Sequence, residues 1–256
     1  MTPHTVAILT GASRGLGLAL ARALAAPGVR LFALARTVST DLAGHWREQG
    51  GDLEQIPVDL SDAGAAQQCA DRLAAMLPQD AQRYLLINNA GTVQPIARAD
   101  RLSDAASLQA ALQLNVASPV LLCAAFLRAT ASLDADRRIL NISSGAGRNP
   151  MPGWGAYCAA KAALDHYTQV LHAENHGVRI ASMAPGVVDT SMQADIRHAD
   201  RADFPQLERF VALHEEGLLS SAQDTAARIL ARLEHPDFGT PVLDDIRHYS
   251  FDQTSQ

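Results

Sequence analysis

The sequence predicts an α/β protein: one doubly wound, seven-stranded parallel sheet with helices on both faces, in a single domain spanning residues 1–256. Three observations predict it. Short apolar runs rich in β-branched residues alternate with alanine- and leucine-rich helical stretches from end to end. Each strand-like run is nearly continuous in its hydrophobicity, the mark of a strand covered on both faces. No repeat, low-complexity tract or linker breaks the alternation, and 256 residues at 48% hydrophobic content suffice for one extensive core.

Taken in order, a first strand over 6–10 runs into a glycine-rich turn, and a helix over 16–26 follows. Strands over 30–35 and 53–58 lead into helices over 41–49 and 63–77. The strand over 84–88 ends in Asn88-Asn89-Ala90-Gly91, and a long helix is predicted over 103–130. The strand over 138–142 leads through Ser144 to a helix over 156–175. After the strand over 179–184 and Pro185-Gly186, the segment 186–216 is irregular and charged, and it holds Met192, Phe204 and Phe210. Its position after the sixth strand makes it a candidate lid, with an ordinary surface helix pair as the alternative. A helix over 222–233 starts at an N-cap pair, Ser221 and Asp224, and the last strand falls near 240–243.

Composition excludes several classes. A formal charge of −6 without a basic cluster argues against nucleic acid and anionic membrane as partners. No stretch reads as long and apolar enough to cross a bilayer, and MTPHTVAILT has no charged n-region, so no signal peptide is expected. Cys69, Cys123 and Cys158 show no CxxC spacing and read as free thiols in a reducing, cytoplasmic setting. His172 and His176 form an HxxxH pair. Glu174 is not where a zinc protease needs it and no third ligand is evident, so no metal is expected.

The glycine turn reads Gly11-Ala12-Ser13-Arg14-Gly15-Leu16-Gly17, a GxxxGxG spacing between strand and helix. Glycines there permit a tight turn and close approach of backbone N–H groups to a pyrophosphate, and the helix N-terminus adds partial positive charge. Glycines alone would fit a plain turn; with a strand before and a helix after, a Rossmann-type dinucleotide site is expected. An acid at the end of the second strand would hold a ribose 2′-OH; the chain has Ala35 and Arg36 instead. Arg36, helped by Arg14, suits a 2′-phosphate, which predicts NADP(H) over NAD(H).

Tyr157 and Lys161 lie one helical turn apart on one face, and Ser144 precedes them at the end of a strand. Carbonyl reduction needs this layout: a hydroxyl to polarise the C=O, an acid to give it a proton, and a cation to make that proton available. A free tyrosine has a pKa of about 10. Lys161 and an oxidised nicotinamide would lower it, and three units would correspond to roughly 4 kcal/mol. Met151, Trp154 and Met192 are candidates for an apolar substrate wall, with Trp154 placed either to stack on an aromatic ring or to serve as a packed loop anchor.

These residues, together with Asp59 in VDL, Asn89-Ala90-Gly91, Asn115 in LQLNV and Pro185-Gly186, resemble the single-domain short-chain dehydrogenase/reductase family over nearly the whole length. Within it, ISSGAGRNPMPGWGAYCAAKAA and APGVVDTSMQADIR look most like bacterial (S)-benzoin-forming benzil reductases and, less closely, sepiapterin reductases. The resemblance implies that Gly11, Ser13, Arg14, Gly15, Leu16 and Gly17 hold the cofactor phosphates, and that Asp59 and Leu60 flank the adenine. It implies that Asn89, Ala90 and Gly91 line the adenosine ribose, and that Asn115 kinks its helix and holds a water in the proton path. Pro185, Gly186, Val188 and Thr190 would meet the nicotinamide side, and Lys161 its ribose. Sepiapterin reductases anchor the pterin with an aspartate near the carboxyl end. This chain offers Asp244 and Asp245 there, with neither assigned to that role, so a pterin substrate is not carried over.

The function expected is reduction of an apolar, aromatic ketone or 1,2-diketone with NADP(H). The alternatives are a 3-oxoacyl-acyl-carrier-protein ketoreductase, for which Arg98 and Arg101 offer thin support, and a non-catalytic NADP(H)-sensing protein. Relatives pair two long helices across a two-fold axis. Ala105, Ala124, Ala162 and Ala163 on the outward faces then suggest a homodimer or homotetramer.

Overall fold

The computed structural model describes residues 3–249. Seven parallel strands stand in the order β3-β2-β1-β4-β5-β6-β7. They are β1 (Thr5–Thr10), β2 (Val29–Ala35), β3 (Asp52–Pro57), β4 (Arg83–Asn88), β5 (Asp136–Ile142), β6 (Arg179–Ala184) and β7 (Leu243–Asp245). The chain winds outward in one direction to β3, then returns past β1 and winds the other way. This reversal opens a crevice between β1 and β4 at the C-terminal edge of the sheet, where such folds bind ligands.

Successive strand residues point to opposite faces, and both faces are covered. Ala7 and Leu9 of β1, with Leu85 and Ile87 of β4, pack beneath α1 (Gly15–Ala23), α2 (Thr40–Glu48) and α9 (Ala222–Glu234). Val6 and Ile8, with Tyr84 and Leu86, pack beneath α3 (Ala63–Met76) and α5 (Ser118–Thr130). Each large side chain buried this way contributes on the order of 1.5–3 kcal/mol. Ser221 caps α9 as expected, accepting from the Asp224 N–H at 2.9 Å.

Three expectations are corrected. The predicted helix over 103–130 is three pieces: α4 (Ala105–Leu112), a π-helical turn at Gln113–Ala117 and α5. Together they form a 26-residue run, Ala105–Thr130, that is long and apolar enough to cross a membrane by length and composition, contrary to the reading above. Its apolarity is spent inside the domain, with Leu122, Cys123 and Phe126 against β4, β5 and α3. The last strand lies at Leu243–Asp245, beyond the 240–243 expected. Pro241 has no N–H to donate, and pairing begins only where the Val242 carbonyl accepts from Ser182 N–H at 2.7 Å. The segment 186–216 holds the helix pair given as its alternative, α7 (Ser191–Arg197) and α8 (Leu207–Glu215), with Phe204 and Phe210 buried.

Candidate active site

The crevice is built from backbone. Gly11 and Gly15 sit at φ +71° and +53°, which glycine adopts without penalty. Thr10 Oγ1 accepts from the Asn89 and Ala90 N–H groups at 2.9 Å each, and Asn89 Nδ2 donates to Thr10 O at 3.0 Å. The turns after β1 and β4 are thereby locked together. A Cβ on Gly17 would collide with the Gly11 carbonyl oxygen, so only hydrogen fits. Arg14 occupies the N-cap of α1 without a side-chain cap, and the first turn carries no acid. The N–H groups of that turn are left for an anion. A Cβ on Gly15 would meet the Thr190 methyl at 3.1 Å, which places Thr190 across the turn. Such a cradle fits the pyrophosphate of a nicotinamide dinucleotide. Ser13 stands in the turn, half-buried, and the Leu16 side chain is in the core.

Arg36 is exposed just past β2, and Arg14 is exposed on the turn. Hydrogen bonds from Ser61 Oγ (2.6 Å) and N–H (2.9 Å) hold the Asp59 carboxyl below its usual range, with Arg36 adding a further lowering. Arg36 and Asp59 therefore stand near one another beyond the C-terminal ends of β2 and β3. Leu60 departs from expectation. Its side chain is buried in the α3–α5 core and its carbonyl accepts from Ser118 Oγ at 2.6 Å, so it can meet an adenine only through its backbone.

α6 (Gly155–Glu174) carries Tyr157 and Lys161, which are 8% and 4% exposed. Ser144 follows β5 as the N-cap of a 3-10 turn, Gly145–Gly147, its Oγ accepting from Ala146 N–H at 3.1 Å. Lys161 Nζ donates to Ile142 O at 2.8 Å and lies 5.7 Å from the Tyr157 ring centroid. A Cβ on Gly91 would be 2.8 Å from Asn115 Oδ1 and 3.7 Å from Lys161 Nζ, so the turn after β4, the π turn and the lysine converge. The Asn115 amide pairs with the Thr92 backbone, donating to its carbonyl at 2.9 Å and accepting from its N–H at 3.1 Å. Each end of that amide keeps one free hydrogen-bonding position.

The titration of this group differs from the sequence expectation. Burial pushes Tyr157 up to about 12, with the Ser144 hydroxyl pulling the other way. Burial pulls Lys161 down to about 8, opposed by Asp165. The lysine ammonium engages a backbone carbonyl rather than the phenol, so the chain by itself does not acidify Tyr157.

Of the two readings of Trp154, the packed anchor is the one the structure shows. Its face stacks on Phe204 (centroids 4.9 Å, 13°), its edge meets Tyr157 (5.5 Å, 80°), and it is 4% exposed. It is an anchor joining the helix pair to the tyrosine, without an open face for a substrate ring. Met151 and Met192 are half-buried at the edge of the same aromatic cluster. Pro185, Gly186 and Val188 lie in a half-buried loop after β6, pinned where Ser220 N–H donates to Val187 O and Asp189 N–H to Ser220 O. Asp244 is buried against Arg232 (3.1 Å) and the Tyr249 hydroxyl (2.9 Å), and Asp245 pairs with Arg247, so both serve the carboxyl segment. His176 pairs with Glu174 at 2.8 Å. Sequence reasoning missed Thr10, which clamps the crevice, and the ion pair Arg148–Asp165 (3.1 Å) beneath Lys161. Only Asp165 left a signal, a carboxylate one helical turn past the lysine on the same buried face of α6.

A doubly wound sheet with a glycine cradle and a Ser-Tyr-Lys group at its C-terminal edge defines a nicotinamide-dependent oxidoreductase. Residues 5–201 match the short chain dehydrogenase family, and the chain belongs to it. It is 41% identical over 234 residues to a benzil reductase ((S)-benzoin forming) of Bacillus subtilis (strain 168), covering 89% of this chain and 92% of that protein. It is 35% identical over 248 residues to sepiapterin reductase of Bos taurus, covering 92% and 91%. Among solved structures, a 3-oxoacyl-[acyl-carrier protein] reductase from Brucella melitensis in complex with NAD matches with a TM-score of 0.78 at 25% identity, covering 96% of each chain.

Proposed function

We propose that this protein is an NADPH-dependent carbonyl reductase acting on apolar, aromatic ketones or 1,2-diketones, turning a benzil-type substrate into a benzoin-type alcohol. The observation that carries the reading is the convergence of Ser144, Tyr157 and Lys161 beside the glycine cradle. When bound, the reduced nicotinamide supplies the hydride. Ser144 and Tyr157 donate hydrogen bonds to the substrate oxygen, and Tyr157 gives up its proton as negative charge grows there. Lys161 keeps a positive charge near the Tyr157 ring, which would favour the phenolate as the proton leaves. With Gly91 and Asn115 beside it, Lys161 also faces the side on which the nicotinamide ribose would lie.

Arg36 and Arg14 support NADPH, because no acid stands at the end of β2 to hold a 2′-OH and a guanidinium pairs well with phosphate. Met151 and Met192 support an apolar substrate, as does the likeness to benzil reductase. Arg98 and Arg101 pair with Asp100 and Asp203 at 3.2 and 3.0 Å, which weakens the acyl-carrier-protein alternative. Free cysteines fit a reducing cytoplasm. The outward small residues on α4, α5 and α6 fit a homodimer or homotetramer. NADPH oxidation with benzil, with a β-ketoacyl thioester and without substrate tests the reading. Benzil turnover alone is expected; turnover of the thioester alone, or binding of NADPH with no turnover, selects an alternative. kcat/KM should favour NADPH over NADH, and Arg36→Asp should reverse the preference.

A further inference from the structure

The sheet-facing stripe of α6 is polar where a covering helix is ordinarily apolar. Tyr157, Lys161, Asp165 and Thr168 recur along it at helical spacing, all buried. The sheet answers three of them. Ile142 O accepts from Lys161, Ser182 Oγ donates to Asp165 Oδ1 at 2.5 Å, and Asn141 Nδ2 donates to Thr168 Oγ1 at 2.9 Å. The other Asp165 oxygen accepts from Arg148 Nε at 3.1 Å. Arg148 also donates to Ser182 O at 3.2 Å and Asp244 O at 3.0 Å. Arg148 closes the turn that Ser144 opens, and within that turn a Cβ on Gly147 would stand 2.9 Å from the Lys161 carbonyl carbon. One ion pair therefore ties the serine's turn to the helix of the tyrosine and lysine, and both to β6 and β7.

We infer that Asp165 and Arg148 form an opposed-charge pair that positions Lys161 and sets how firmly it stays cationic inside the protein. The catalytic use of that charge rests on the function proposed above; the pair's effect on the charge does not. A carboxylate one turn from a buried ammonium favours the charged lysine, and the guanidinium bound to that carboxylate partly cancels its field. Among the described residues, the other groups shown beside Lys161 are the Tyr157 ring, the Asn115 amide and the Ile142 carbonyl, none of which carries charge at neutral pH. Asp165 is faced by Ser182 from β6 and Arg148 from the turn. Asp165 is the charged side chain whose field raises the lysine, against a burial that pulls it to about 8.

Lys161 is the only lysine in the sequence, so full-length protein labelled with 13C at lysine Cε gives one side-chain resonance that titrates with this site alone. Asp165→Asn should lower the midpoint by about one pH unit, and Arg148→Gln should raise it. A merely structural pair would move both variants the same way or neither, and either result would overturn the inference. If Asp165→Asn does not fold, Asp165→Glu should hold the midpoint within about half a unit of wild type. In that case Arg148→Gln must still raise it, and a fall or no change would overturn the pair's role. The readout uses no substrate. A protein inert to every ketone would refute the proposed reaction and leave this inference standing, and an unmoved midpoint would do the reverse.

Discussion

Lys161 carries an ammonium into the interior, where burial lowers its pKa from 10.5 to about 8. Between those values the unfolded chain binds the proton and the folded chain does not, so folding stability rises with pH from about 8 to about 10.5. Below that window the folded state bears a penalty of about 3 kcal/mol. Lys161→Met removes the penalty. Its thermal midpoint at neutral pH should rise by several degrees while turnover is lost, and the gain should shrink toward pH 10. Calorimetry at the two pH values checks this, and a lower midpoint than wild type at neutral pH contradicts it. At this scale Ser144, Tyr157 and Lys161 were legible because helical spacing alone brings the last two together. Trp154 was not, since the ring that covers it, Phe204, arrives from a distant segment. Arg148 was not either, because it meets Asp165 only once the turn after β5 folds back on α6.

In the proposed function, cofactor binding depends on the strand–turn–helix unit β1–α1. Its turn is held by Thr10 and Asn89 and is packed so closely at Gly17 that any side chain must displace the Gly11 carbonyl. Gly17→Ala should weaken NADPH binding at least about 100-fold and cost about 1–3 kcal/mol of stability, as overpacking does elsewhere. Fluorescence titration with NADPH and a denaturant melt check both, and wild-type affinity in this variant would contradict the cradle. Most elements were readable because strands buried on both faces are apolar throughout. The π turn at Gln113–Ala117 was hidden inside an unbroken apolar run, which looks the same whether or not one turn is widened. The short β7 was displaced because a three-residue strand has too little sequence to show a period.

For the whole molecule, the parallel sheet gathers the turns after β1, β4, β5 and β6 at one edge, and the opposite sides of α4 and α6 face outward. Leu112 is 39% exposed there, beside Gln113, Val116 and Ala163. Light scattering should report a dimer or tetramer, and Ala163→Glu should shift it toward monomer; a monomeric wild type contradicts the assembly. The single-domain architecture was legible in the alternation of elements, but the bounds of α7 and α8 within 186–216 were not, because charge and scattered aromatics do not distinguish a helix pair from a loop. The claim at the centre of the account is that the Tyr157 phenol delivers the proton in a nicotinamide-dependent carbonyl reduction. Steady-state turnover of benzil with NADPH by wild type and Tyr157→Phe, with the NADPH Kd measured for each, tests it most directly. The account predicts a loss of at least about 1000-fold in kcat with Kd within about threefold of wild type. Tyr157→Phe protein that still turns over benzil near the wild-type rate would contradict it.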